Sequence, residues 1–568
     1  MRKKHLLTKT LAIVLSATIC AGGTGIQALA STVQLSQEAE GNMEEYGVDT
    51  VKTVSANEGL PEETDTTATE GTESTAESKE KADEPEEVET DAEAEDTIWT
   101  DTDLDADKIV VNDSTKVSSL IPDGELRKEL LAIYNEQEMD ELAETDFTYQ
   151  YLKKITKIDL SENNDAANIK SIEGLGYASG ATYVDISTTG ITGIAASAFF
   201  NAADVGTSLE TIVLPDRLQK IGRAAFSGCD KLQNIWVRDT EGNIKDDSNR
   251  LPEGLVAEGV EPGAFKGCTA LKQIELNCQS GNTLIKATEM FAGCSGLAQV
   301  TIGKNITILP VSIFQQAGDK DKGMSVEFEE GSQLNVIEAN AFQCANVETI
   351  DLTNCEKLEN IGARAFMRWN SVEANMGDAK NASSKYVKTL ILPSETKGLT
   401  LGDELFFNTP VEAIYPAGTE ETVEAGTVIL PDYVTHLGRA AFYYAGANIS
   451  QIKNVTLSAN MDGIEGYTFY YCTNLEKVTV SKDTNGDSKI EKIKNAAFAH
   501  TNKLQNGSFI GDMNHLIEIG ESESDPKKTY KYDTTNFKNL SYKDYVLQTE
   551  KQALESNVSS QVFTESGL

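Results

Sequence analysis

Few residues in this chain have the types and spacing that chemistry needs. Beyond the first thirty positions there are three histidines, His436, His500 and His515, and seven of the eight cysteines. An imidazole base needs a nucleophile or a metal beside it. Hydrolases, metalloproteases and nucleotide-binding folds announce such pairs as Gly-x-Ser-x-Gly, His-Glu-x-x-His or a phosphate-cradling glycine loop. None of these patterns occurs. Asp483-x-Asn485-Gly486-Asp487 places oxygens on alternate residues, as the start of a calcium loop does. Its twelfth position is Lys494 rather than an acid, and Asn-Gly directly after a strand makes a tight turn. Asp239-Thr240-Glu241-Gly242-Asn243 has the same form. Both are taken as turns. No catalytic residue, cofactor or metal is expected.

The elements that position these residues repeat. Arg223-Ala224-Ala225-Phe226-Ser227-Gly228-Cys229 precedes Leu232-x-x-Ile235-x-Val237, and the pair recurs at Phe265-Lys266-Gly267-Cys268, Phe291-Ala292-Gly293-Cys294 and Phe469-Tyr470-Tyr471-Cys472. Repetition on this scale decides the fold before anything else does. The anchor phenylalanines are Phe199, Phe226, Phe265, Phe291, Phe314, Phe342, Phe366, Phe406, Phe442, Phe469 and Phe498. Most intervals fall between 23 and 29 residues, and three are lengthened by insertions, one of them Asp239 to Leu255. The third residue after each anchor is Ala202, Cys229, Cys268, Cys294, Ala317, Ala345, Trp369, Thr409, Ala445, Cys472 or Thr501. Cysteine mostly trades with alanine and threonine there, so a small buried packing position with free thiols is expected. Cys268 and Cys294 would sit in adjacent layers and are the pair best placed to bridge.

A second piece sits upstream of many anchors, as in Leu214-Pro215-Asp216-Arg217-Leu218-x-x-Ile221-Gly222 and Leu430-Pro431-Asp432-Tyr433-Val434-x-x-Leu437-Gly438. A strand ends at Pro, a second apolar pair follows, and Gly turns the chain. The three apolar clusters of each repeat suit three sides of one coil. This combined pattern, from Phe199 to Phe498, resembles the BspA-like leucine-rich repeat family. It departs from that pattern around Ile306 to Phe328 and Val387 to Glu424. The resemblance implies an α/β leucine-rich repeat solenoid, and an exported or surface-displayed protein that binds host or microbial partners without enzymatic activity. Ile121 to Leu160 resembles the helical caps of internalin-type proteins. Asp123 is placed to cap a helix bearing Leu126, Leu130, Leu131 and Tyr134, a second short helix is read between Met139 and Leu152, and Asn163 is placed to bond neighbouring turn backbone.

A solenoid of parallel strands exposes one long, concave sheet. About thirteen layers at roughly 4.8 Å would make it about 60 Å long. Outward on it point the residues between the apolar anchors: Glu210, Thr211, Val213; Gln233, Asn234, Trp236; Lys272, Gln273, Glu275; Glu348, Thr349, Asp351; Lys388, Thr389, Ile391; and Glu476, Lys477, Thr479. Trp236 and Tyr415 are the large aromatics among outward positions, a type that anchors protein or sugar ligands. A second candidate is an edge stripe of Phe407, Tyr443, Tyr444, Tyr470 and Tyr471, which follow the anchor in three consecutive repeats. The other reading of these residues, and the one their spacing favours, is edge packing that seals the coil.

The flanks differ in material. Residues 1–30 read as a secretory signal: Arg2, Lys3, Lys4 and Lys9, an apolar run from Leu11 to Cys20, and Ala28-Leu29-Ala30 before the cleavage point. Ile19 is too bulky for a lipoprotein signal at Cys20. Residues 31–107 carry 26 Asp and Glu against 3 Lys and almost no aromatics, a disordered, self-repelling linker that serves either as a spacer or as a solubilising tail. The cap is placed at 108–154, the solenoid at 155–510, and a polar extension at 511–568. That extension shows no sorting motif or apolar tail, which reads as release or as truncation before an anchor. No later apolar run approaches the length of a membrane span. A net charge of -41 disfavours nucleic acid and anionic lipid as partners. The expectation is a secreted or bacterial cell-surface monomer that binds an extracellular protein or glycan. The alternative is a structural scaffold or display spacer within a larger envelope protein.

Overall fold

Leu126, Leu130 and Tyr134 recur on one helical face, and the chain folds that face inward: Gly124–Glu138 is an α-helix (α1) whose side chains at these positions are buried. The computed structural model describes residues 111–519 apart from 201–207, 240, 245–247, 369–385, 421–422, 444–450, 484, 495–496, 499–500, 502, 505–508 and 511–517. The expected leader, the acidic spacer and nearly all of the C-terminal extension lie outside these residues, as do Trp369, Tyr444, His500 and His515. All described residues fall in one unit of the chain, 95–521 with 528–568.

Asp123 caps α1 by accepting from Leu126 N at 2.9 Å. Its other oxygen accepts from Lys170 N and Ser171 N, which ties the cap to the next coil. The second helix is shorter than the sequence suggests. Met139 is left-handed at φ 52 and ends α1, and only Tyr149–Leu152 (α2) is helical after it, beyond a 3-10 turn. Asn163 reaches back rather than along the coils: its amide donates to the Glu129 carboxylate on α1 at 2.6 Å, while its oxygen accepts from Asp165 N. The polar residue that starts the repeats thus fastens them to the helix covering their open end. A solenoid needs such a cover, because its first layer would otherwise expose its core.

From Lys157–Asp159 onward each coil lays one strand on a main parallel sheet and most lay a shorter one on a second ladder. The main sheet has segments of four, three and seven strands. The first runs Lys157–Asp159, Tyr183–Asp185, Thr211–Pro215, Asn234–Arg238; the second Gln273–Leu276, Gln299–Ile302, Ser325–Phe328. The third runs Thr349–Asp351, Thr389–Leu392, Ala413–Pro416, Thr427–Ile429, Asn454–Leu457, Lys477–Val480, Phe509–Ile510. The regions that depart from the repeat motif still pair with their neighbours: Ser325–Phe328 residue for residue with Gln299–Ile302 and Thr389–Leu392 with Ala413–Pro416, while Leu399–Leu401 meets Val434–Leu437 with a register shift between Leu399 and Thr400. The second ladder continues past residue 510 to Glu518–Ile519. Among the described residues α-helix is confined to the cap.

Two of the three insertions build extra rungs instead of loops. After Asn234–Arg238 the chain makes a hairpin, with Arg238 antiparallel to Ile244, and returns through Asn249–Leu251. There Asn249 imitates backbone: its Oδ1 accepts from Ile235 N at 2.8 Å, and its amide donates to Gln233 O and Gln273 O. That rung joins the first sheet segment to the second. The other insertion lays Thr427–Ile429 beside Ala413–Pro416.

On the third side the anchors form a spine. All eleven phenylalanines stack in sequence, with centroids from 4.8 to 6.0 Å apart. Each anchor N–H from Phe199 to Phe469 donates to the coil after it, as Phe226 N does to Ala264 O at 2.8 Å and Phe406 N to Ala441 O at 2.7 Å. The residues two before and two after the anchor donate the same way: Ala224 N to Pro262 O, Gly228 N to Lys266 O. Both flanking positions are left-handed, Ala224 at φ 51 and Gly228 at φ 75.

Candidate functional site

Outward residues of the seven-stranded segment fall into columns, because parallel in-register strands stack equivalent positions. One column runs Thr349, Thr389, Ala413, Thr427, Asn454, Lys477; the next runs Asp351, Ile391, Tyr415, with Ile429 abreast of Tyr415 as the register continues, then Thr456 and Thr479. Ile391, Tyr415 and Ile429 are half-buried and make an apolar stripe three rungs long on an otherwise polar face. The stripe depends on the insertion. Gly418, at φ +85, turns the chain after Pro416, with Thr419 Oγ1 donating to Pro416 O at 2.7 Å and Glu420 accepting from Gly418 N at 2.9 Å. Without that excursion Ile429 would not lie beside Tyr415. The Tyr415 hydroxyl is pushed above its usual value by burial first, then by the Glu420 and Asp351 carboxylates.

Trp236 lies on the outward face too, but in a sealed stretch. It is half-buried, and its neighbours Thr211 and Val213, outward by alternation, are buried. Arg238 reaches across a strand to Asp185, Nη2 to Oδ2 2.6 Å, and to Ser187 Oγ at 3.0 Å. Asp185 also accepts from Ser187 N and Oγ and is fully buried. Beside it Tyr183 is pushed up to about 12 by burial and then by the Asp185 charge. Trp236 Nε1 is shut off from solvent without an acceptor. A hidden unpaired donor costs about 1–3 kcal/mol and marks packing more than an open anchor. The expected outward aromatic is therefore outward but enclosed.

The edge stripe forms as a ladder. Phe407 stacks on Tyr443 at 4.8 Å, Tyr443 on Tyr470 at 4.7 Å, and Tyr471 meets Tyr470 edge-on at 4.9 Å. Sequence spacing missed Tyr467, which precedes its anchor by two residues instead of following it. It packs on Tyr470 at 5.5 Å under Arg439, whose guanidinium is 4.9 Å from the ring centre. Tyr467 and Tyr470 are buried, Tyr443 and Tyr471 partly so. Stacking uses up ring faces, so the ladder presents ring edges.

The acidic loops hold backbone. Asp483 Oδ1 accepts from Asn485 N and Asp487 N, and Asp239 Oδ1 from Glu241 N and Asn243 N. These bonds hold both carboxyls below the usual range. Among the described residues no group of three or more His, Cys, Asp or Glu is placed to hold a metal ion. His436 is half-exposed, its Nδ1 3.6 Å from Asp462 Oδ1.

A family profile described as BspA type leucine rich repeat region matches six copies, over residues 192–249, 258–388 and 407–522, more than half of the chain. The chain belongs to the BspA-type leucine-rich repeat family. This is a non-enzymatic repeat scaffold, typical of bacterial surface proteins that bind other proteins. Similar solved structures include a leucine-rich repeat protein from Bacteroides ovatus (19% identity, 64% of this chain and 78% of that one, TM-score 0.35). A leucine-rich cell surface protein of Faecalibacterium prausnitzii is also similar (18% identity, 60% and 86%, TM-score 0.27). So is an internalin from Listeria monocytogenes (13% identity, 70% and 97%, TM-score 0.20). Membership rests on the repeats, not on these distant likenesses. No curated protein matches the chain. No helix among the described residues is long and apolar enough to cross a membrane.

The BspA-type Gly-Cys element now has a physical meaning. Glycine supplies the left-handed residue two after the anchor, a conformation other residues reach only with strain. The cysteine thiol donates to the preceding anchor's carbonyl: Cys268 Sγ to Phe226 O at 3.3 Å, Cys294 to Phe265 O at 3.2 Å, Cys472 to Phe442 O at 3.4 Å. Thr409 does the same to Phe366 O at 2.9 Å, which explains why threonine trades with cysteine. None of the seven described cysteines is in a disulfide, Cys268 and Cys294 included, and only Cys344 is half-exposed rather than buried. Burial pushes Cys278, Cys294 and Cys355 from 9.0 up to about 12. Under native conditions at pH 8 a thiol reagent is expected to label Cys344 alone among these seven; rapid loss of the Cys268 or Cys294 thiol would contradict the burial. A thiol kept protonated by folding lends stability that is intact below its unfolded value near 9.0 and lost as pH rises to about 12. The urea midpoint should therefore fall over that range, less steeply in Cys294→Ala. Equal slopes would count against the linkage.

Proposed function

We propose that this is an exported, non-catalytic protein that captures a protein partner on the outward face of its main sheet, at a bacterial surface or after release. The observation that carries this is the Ile391–Tyr415–Ile429 stripe. Tyrosine flanked by aliphatic side chains, half-buried but reachable, is the composition of interface hot spots. The signal-like residues 1–30 and the acidic segment 31–107 support export and display on a spacer. The edge ladder Phe407–Tyr443–Tyr470–Tyr471, with Tyr444 in the same run, offers a secondary contact. Its stacked rings present edges, which favours hydrogen bonding to a protein over the face-on stacking that sugars use. Trp236, enclosed as it is, contributes to this surface only at its rim.

The test is a solid-phase screen of the intact protein against extracellular-matrix proteins and a glycan array. A protein ligand is expected. Its affinity should fall about 30-fold in Tyr415→Ala, the size of a hot-spot loss, and hold in Trp236→Phe. Binding by Tyr415→Ala at the unmodified level would sink the assignment. Absence of any ligand would favour the scaffold alternative, and a glycan ligand would reverse the choice of partner class.

A further inference from the structure

The stripe has a charge environment that narrows its partner. Asp351, one rung beyond Ile391, is exposed; its Oδ1 accepts from Thr353 N and Oγ1, and Oδ2 has no partner. Glu420, in the turn after Tyr415, is exposed and holds only Gly418 N through Oε1. Among the described residues no cation pairs with either carboxylate. Both carboxylates lie near enough to push the Tyr415 hydroxyl up, after burial. Beyond the Thr349–Thr389–Ala413 column, the row Glu348, Lys388, Glu412, Gly426, Lys453 is linked by backbone bonds. In that row Lys388 is committed to Glu348 at 3.1 Å. At the other end of the stripe Thr456 and Thr479 carry no charge. The patch is therefore apolar in the middle and negative at Asp351 and Glu420, in a chain whose net charge is already -41.

We propose that the Ile391–Tyr415–Ile429 stripe receives an extended, basic segment of a protein partner, with apolar side chains across Tyr415 and lysine or arginine side chains on Asp351 and Glu420. From Asp351 to Ile429 is three rungs, about 14 Å at the usual strand spacing, which is the reach of some four to five extended residues. A cation at the Asp351 end of such a segment, and another beside Tyr415, meet carboxylates of exposed residues, and the apolar centre leaves water for the stripe. Complementary charge of this kind sets partner choice and encounter rate more than affinity. An anionic lipid surface would meet the same carboxylates unfavourably. The inference rests on the stripe being the binding site, as proposed above.

Both ideas are separable in one experiment. The intact protein, labelled at isoleucine δ1 methyls, is titrated with three synthetic nonapeptides that share a Leu-Val-Leu centre and are flanked by lysine, glutamine or glutamate. Ile391→Leu and Ile429→Leu assign the two methyl signals. The lysine peptide is expected to shift both and to bind at least tenfold more tightly than the glutamine peptide at low salt, with the glutamate peptide weakest. That advantage should vanish in the double variant Asp351→Asn/Glu420→Gln and shrink at high salt. Equal binding of lysine and glutamine peptides at these methyls overturns the basic partner and leaves the stripe standing. Shifts confined to other isoleucines, or none with any peptide, overturn the stripe itself.

Discussion

Phe265→Ala should cost about 4 kcal/mol, within the range for emptying a buried aromatic site. The ring is fully buried and lies between Phe226 at 4.9 Å and Phe291 at 5.7 Å. Its removal takes away two stacking partners as well as apolar contact, and stacked pairs add about 0.5–1.5 kcal/mol beyond burial. The neighbouring rings cannot slide together to fill the space. Each coil is held at its own height by anchor hydrogen bonds, such as Phe265 N to Met290 O at 3.0 Å. In a solenoid the damage is local, because each coil touches only its neighbours. Urea unfolding should split into two steps, one on each side of the lesion, where the unmodified protein shows fewer. Phe265→Leu, which keeps much of the volume, should cost about 1 kcal/mol. A Phe265→Ala loss below about 1 kcal/mol would mean that the spine is not a structural unit.

Gly438→Ala is expected to cost about 3 kcal/mol or more, from the addition of a single methyl group. A Cβ there would lie 2.4 Å from Asp403 N and from the carbonyl carbon of Gly402, against main chain that has no rotamer to change. Gly402 sits on Gly362 and Ala363 in the same way, its Cβ position 2.6 Å and 2.5 Å from their backbone. Three successive coils thus approach closely through glycine. Gly228 supplies the control. A Cβ on it would meet nothing within 4 Å, but its φ is +75. Gly228→Ala should therefore cost only the left-handed penalty of about 1–2 kcal/mol. The two glycines belong to different parts of the same repeat motif, Ile-Gly and Gly-Cys, and the denaturation midpoints of the two variants separate their roles. A Gly438→Ala protein no less stable than Gly228→Ala would refute the close-approach explanation.

Much of the architecture could be read from residue order because a repeat displays its packing positions many times over. Leu232, Ile235 and Val237, with Phe226 and Cys229, are buried as their recurrence predicts, and the anchors stack in sequence order. Asp123 was legible as a helix cap from the local rule for such residues. Its second role, holding Lys170 N and Ser171 N, was not, since those amides are almost fifty residues away. The left-handed residue two before each anchor from Phe199 to Phe469 was also hidden. It is Ser197, Ala224, Glu289, Ser312, Asn340, Arg364, Glu404, Ala440 or Tyr467, and glycine only at Gly263. Its conformation is imposed by hydrogen bonds to the next coil, so residue type carries no signal of it.

The candidate site divides the same way. Tyr415 was visible as a large residue at an outward position, and so was Trp236, because strand alternation alone assigns a side chain to a face. The surroundings of the two differ because of what the insertions do. One lays Asn249–Leu251 on the sheet next to Trp236, in the stretch where Arg238 spans to Asp185; the other brings Ile429 beside Tyr415. An insertion is invisible to a periodic reading, since it breaks the count that the reading relies on. Sequence by itself determined the coil, its core residues and the family, all of which follow from local pattern repeated. Only tertiary structure decided which outward residues lie side by side, because that depends on contacts between coils whose spacing in the chain is irregular.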